Sequence, residues 1–97
     1  MSSNLIVWPT FGVRMNALGF SVTTTGGGCR AYTKQLTTNE APTYVLVTDK
    51  SGCDVDGIGP DNWIVGLYDA ATDGEILMHY ADGGSIDAAL RAVEVLP

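Results

Sequence analysis

Ninety-seven residues, 45% of them apolar and only 16% charged, describe a single folded domain over residues 1–97 and exclude a disordered chain. The formal charge of −6 is unevenly spread: residues 1–48 carry one acid (Glu40) against three bases, and residues 49–97 carry ten acids against two. Such a surface excludes tight direct binding to nucleic acid, whose phosphates recruit Lys and Arg, and no apolar run reaches the roughly 18–20 residues that span a bilayer.

In chain order, the first eighteen residues carry mixed signals. LIVW at residues 5–8 reads as a short edge strand ended by Pro9, and Phe11 to Leu18 fits neither period cleanly. The start has no basic stretch before its short apolar run, so it does not read as a secretory signal, and the expected address is cytoplasmic. Phe20 to Thr25 (FSVTTT) is β-branched and aromatic and meets Gly26-Gly27-Gly28; CRAYTKQL then alternates Arg30, Tyr32 and Lys34 against Cys29, Ala31 and Thr33. Strand, glycine turn and strand predict a hairpin.

Thr43 to Asp49 (TYVLVTD) is the clearest strand, with Pro42 at its start, where proline is tolerated. SGCDVDGIGPDN, residues 51–62, is a loop dense in Gly and Asp. Trp63 to Asp69 (WIVGLYD) predicts a strand in which Gly66 marks a bulge or a close backbone approach. The Asp-Gly turn in AATDG and the run Glu75 to Tyr80 (EILMHY) complete a second hairpin. Ser85 is placed to cap a terminal helix, with Asp87 in its first turn and an apolar stripe of Ile86, Ala89, Leu90, Val93 and Leu96. The fold class that follows is α+β: an antiparallel sheet of about four to six strands, with the C-terminal helix on one face and the other face left for a partner.

Signatures of chemistry are sparse. Gly26-Gly27-Gly28 is followed by Cys29-Arg30, not by the Lys-Ser/Thr of a phosphate loop. A calcium loop begun at Asp54 finds Asp56 at its third position but Ile58 at its fifth and Val65 at its twelfth. The single histidine, His79, and the two cysteines, Cys29 and Cys53, lie too far apart in sequence to suggest a zinc site. In a reducing cytosol the thiols are expected free, although one bridge between them is geometrically open. No cofactor and no catalytic residue is expected. A small enzyme using Cys29 or His79 is the minor alternative.

The aspartates remain. Asp54, Asp56, Asp61, Asp69 and Asp73 fall in loops and turns, where Asp bonds its own backbone. Taken together they also suggest an acidic contact surface. Trp63 and Tyr68 have opposite parity in one strand, so one is core and the other a surface anchor; Trp63 is taken as a possible anchor beside the acids.

The order TTTGGGC, YVLVTD, WIVGLYD, across residues 20–70, resembles small accessory proteins of phages and mobile elements. Small acidic single domains among these are similar to anti-CRISPR inhibitors, which occlude a nucleic-acid or subunit surface of a defence complex. The resemblance assigns no site residue. It implies a non-enzymatic inhibitor, monomeric or homodimeric, whose protein partner presents a basic surface, a CRISPR effector being one such partner. The alternative is a phage structural or assembly protein that self-associates through exposed sheet edges.

Overall fold

The structure, a computed structural model, describes residues 11–36 and 42–95. Its elements are α1 (Phe11–Ala17), β1 (Ser21–Gly26), β2 (Cys29–Leu36), β3 (Thr43–Thr48), β4 (Ile64–Asp69), β5 (Glu75–Tyr80) and α2 (Ile86–Ala92). The strands form one antiparallel sheet in the order β1-β2-β3-β4-β5, a meander in which every connection joins neighbours. The α+β expectation holds, with five strands and the C-terminal helix in place. The expected N-terminal strand at residues 5–8, and Leu96 of the helical stripe, lie outside the described residues.

Register decides what each face carries. Tyr32 stands opposite Val47, Val47 opposite Val65, and Val65 opposite His79. Side chains of that parity meet both helices in one core of Phe11, Met15, Phe20, Val45, Val47, Trp63, Val65, Ile86, Ala89, Leu90 and Val93. The opposite parity places Tyr44 beside Tyr68, Leu46 beside Gly66 and Thr48 beside Ile64, with Met78 and Tyr80 on the neighbouring strand. No helix covers that second face among the described residues.

Three local features differ from the sequence reading. Phe11 to Ala17 is a helix despite Gly12 and Val13, because Phe11 and Met15, one turn apart, both enter the core. Its exit turns at Gly19, at φ 94°, where Phe20 N–H bonds the Met15 carbonyl at 2.9 Å, closing the helix as glycine-ended helices do. The terminal helix starts where expected, Ser85 Oγ accepting from Ala88 N at 3.1 Å, but stops at Ala92. Glu94 adopts φ 65° and Val95 N bonds back to the Leu90 carbonyl at 2.9 Å.

The third difference is covalent. Cys29 and Cys53 form a disulfide, with Cα atoms 4.4 Å apart, so the expected free thiols are corrected. The reason lies in the tertiary path: the β3–β4 loop folds back alongside β2, and Arg30 N–H bonds the Cys53 carbonyl at 2.8 Å, which brings the two cysteines level.

Candidate interaction surfaces

The β3–β4 loop is organised by its own carboxylates. Asp49, buried at the end of β3, accepts from Ser51 N at 3.0 Å and from the Ser51 hydroxyl. Asp54 Oδ1 accepts from Val55 N at 2.7 Å and from Arg30 Nη2 at 2.6 Å, and the same nitrogen reaches Asp56 Oδ2 at 2.7 Å. The Val55 N–H, then the Arg30 guanidinium, hold the Asp54 carboxyl below its ordinary range. Hydrogen bonds to Asp54 and then Asp56 raise Arg30 in turn. Asp54 and Asp56 are therefore joined by a cation that the chain itself supplies. Disulfide, backbone hydrogen bond and ion pairs together pin this loop to β2. Asp61 is exposed farther along it.

The other two aspartates belong elsewhere. Asp69 accepts from Ala71 N at 2.7 Å and Thr72 N at 3.2 Å, which forms the β4–β5 turn. Asp73, at φ 59° in that turn, accepts from the Tyr44 hydroxyl at 2.8 Å. Desolvation, and then this bond to Asp73, push the Tyr44 phenol up to about 12. Strand direction puts Asp54, Asp56 and Asp61 at one end of the sheet and Asp69 and Asp73 at the other. Asp82, after β5, falls at the first end, because Tyr80 is paired with Ile64. The sequence foresaw that these acids sit in turns, but not that they divide between two ends.

Trp63 is corrected as a surface anchor. It is 1% exposed, among the largest fully buried side chains, because its parity matches Val65 and faces the helices. Tyr68, of opposite parity, takes the outward position. Its ring stacks on Tyr44 with centroids 5.3 Å apart and planes 11° apart. Around this pair lie Leu46, Ile64 and Met78, which border a depression of about 120 Å³. Met78 and Tyr68 close over Gly66, where a Cβ would stand 2.7 Å from both Met78 Sδ and Tyr68 Cε1. What closes over Gly66 is side chain and not backbone, and the irregularity of this hairpin falls beside it, between Leu67 and Tyr68. Toward the free edge of the sheet, Ile76 is 53% and Tyr80 50% exposed. The opposite parity of Trp63 and Tyr68 was the signal in the sequence for this division of faces.

The disulfide engages both thiols, including Cys29 of the enzymatic alternative. Among the described residues no three His, Cys, Asp or Glu side chains stand together as a metal set, and no helix is long and apolar enough to cross a membrane. Comparison with known proteins gives no guide beyond this geometry: no family model, no curated protein and no solved structure matches the chain.

Proposed function

We propose that this is a non-enzymatic protein-binding module whose contact surface is the uncovered face of the sheet. One observation carries the reading: a face built of Tyr44, Leu46, Ile64, Tyr68 and Met78, continued by exposed Ile76 and Tyr80, with no helix over it among the described residues. Isolated exposed apolar residues are ordinary, but a contiguous apolar and aromatic face on a small domain marks an interaction site. Tyrosines supply contact area at small entropic cost and dominate interface energetics.

The aspartates fit the rim of this surface better than its centre. Asp61 and Asp82 are exposed at one end of the sheet, and Asp73 and Glu75 at the other. The complementary partner is a protein with an apolar patch bordered by Lys and Arg. The aromatics would anchor it and the carboxylates would steer it, since rim charges act chiefly on association rate and salt dependence. An inhibitor that occludes the basic, nucleic-acid-handling surface of a host defence complex, in the manner of the anti-CRISPR proteins the sequence resembles, is the specific form of this reading. The cytoplasmic address expected with it stands in tension with the Cys29–Cys53 bridge, because such bonds persist chiefly in oxidising compartments.

The test compares capture from host lysate by three proteins. Against wild type, a Tyr68→Ala, Tyr80→Ser double variant is expected to lose at least about tenfold in affinity for the captured partner. An Asp56→Asn, Asp61→Asn, Asp73→Asn variant is expected to keep binding but with a flatter salt dependence. Full affinity in the aromatic variant would remove the open face as the contact surface. A second reading, self-association, is favoured by β5: this edge strand exposes Ile76, Leu77 and Tyr80 and carries no proline or lysine to deter pairing. Light scattering across a concentration series separates the two, a monomer at all concentrations excluding self-association.

A further inference from the structure

The Cys29–Cys53 bridge is set among glycines at the surface. Both cysteines are half-buried, and each follows an exposed glycine, Gly28 at φ 82° and Gly52 at φ 74°. Where a side chain would stand on either glycine, nothing lies within 4 Å. The turn before Cys29 is Gly26-Gly27-Gly28, so the turn itself carries no side chain to screen the sulfurs. Attack on a disulfide depends on access to a sulfur, and this setting provides it without unfolding. The core holds neither cysteine. Besides the bridge, the loop is held to β2 by the Arg30 N–H bond to the Cys53 carbonyl and by the half-exposed Arg30 ion pairs to Asp54 and Asp56, and exposed ion pairs are weak. Gly52, next to Cys53, borders the depression on the open face together with Thr48 and Ile64.

We propose that Cys29–Cys53 is a reversible thiol–disulfide exchange site, opened by a dithiol, and that opening frees the Gly52 end of the loop from the depression while the sheet stays folded. One thiolate of the dithiol attacks a sulfur of the bridge, forms a mixed disulfide and expels the other cysteine as a thiolate. The second thiol of the dithiol then displaces the cysteine still bound. The chain gains two electrons and two protons, and the dithiol loses both and leaves as a disulfide. In a reducing compartment the pair rests open, and oxidation closes it. The exchange alters one end of the proposed contact face, but it does not require that face to bind a partner.

The test uses the full chain and dithiothreitol, with free thiols counted by alkylation and mass spectrometry. The folded protein should be reduced at a rate within about a hundredfold of the same chain unfolded in urea, since a bridge reached only through global unfolding lags by about a thousandfold or more. In ¹⁵N-labelled reduced protein the amide resonances of Val47 and Val65 should stay in place with order parameters of about 0.85, while those of Gly52 and Cys53 fall to about 0.6 or below. Oxidised dithiothreitol should then restore the bridged spectrum. Four results overturn the proposal: reduction of the folded protein slower than the hundredfold limit, loss of the Val47 and Val65 resonances on reduction, a reduced loop as ordered as the bridged one, or failure to reclose. None of these readouts involves partner capture, so failure here is told apart from failure of the contact surface.

Discussion

The two faces of this sheet use the same strands for different ends. Along β4, Val65 and Leu67 turn toward the helices while Ile64, Gly66 and Tyr68 turn away. The covered face is assembled from Val45, Val47, Val65 and Trp63, which interlock with Leu90, Met15 and Phe11 and leave almost nothing exposed. The open face combines Leu46, Ile64, Met78 and a glycine with tyrosines and Thr48, the tyrosines tolerating water at one end and apolar contact at the other. The difference separates stability from recognition. A residue of one parity holds the domain together, and its neighbour in sequence is free to meet a partner.

The largest effect should come from testing that separation directly. Trp63→Ala removes a fully buried indole from the centre of the core and should cost about 3–5 kcal/mol. Tyr68→Ala, five residues along, removes one partner of an aromatic stack at the surface and should cost about 1 kcal/mol. Urea unfolding of both proteins checks the ordering. Equal costs would mean that the open face is itself core, which would break the comparison.

Next in size is the loop that closes one end of both faces. The bridge joins residues 24 apart in sequence, and for a loop of that length chain entropy assigns it about 3 kcal/mol. A Cys29→Ser, Cys53→Ser protein should unfold at lower urea by that amount. The Tyr44–Tyr68 stack lies toward the opposite end, so near-ultraviolet dichroism of its tyrosines should persist in the folded variant. Loss of that signal would show the open face to depend on the loop.

A smaller effect sharpens the description of the open face. Gly66→Ala puts a methyl where Met78 Sδ and Tyr68 Cε1 already stand. The methionine can swing aside, but the stacked ring has less freedom, so a cost of about 1–2 kcal/mol is expected, with the depression filled. A neutral result by thermal unfolding would mean that the packing around Gly66 is loose.

Much of this was legible in the sequence, for identifiable reasons. The β-branched run TYVLVTD and the Asp-Gly turn before EILMHY placed strands close to their observed bounds, and Ser85 announced the start of α2, because these signals are local. Helix α1 was not legible. Gly12, Val13 and the absence of an acid in its first turn leave only Phe11 and Met15 to mark it, and their burial depends on a core assembled from distant strands. The disulfide and the division of the aspartates share that origin. Each depends on where the β3–β4 loop folds back, which is settled by register with β2 and not by residues 49–62 alone. Parity predicted that Trp63 and Tyr68 would part company, but the choice of which faced inward waited on the helices.

The smallest effect concerns the ion pair that fastens this loop. Asp54 is held below its ordinary value of 3.8, chiefly by the Val55 N–H and next by Arg30. A carboxyl lowered in the folded state favours folding at every pH above its unfolded value, and that contribution is lost as pH falls below 3.8 and through the lowered folded value. In an Arg30→Met protein the first cause remains and the second is gone. The Asp54 titration, followed by carboxyl ¹³C chemical shift, should therefore rise toward 3.8 without reaching it. An unchanged titration would mean that Arg30 does not engage Asp54 in solution. Because the disulfide and the Arg30 N–H bond to Cys53 hold the same loop independently, the variant should keep its fold at neutral pH. The effect of Arg30→Met on stability should grow once the bridge is removed as well, for the ion pairs then carry more of the loop's attachment to β2.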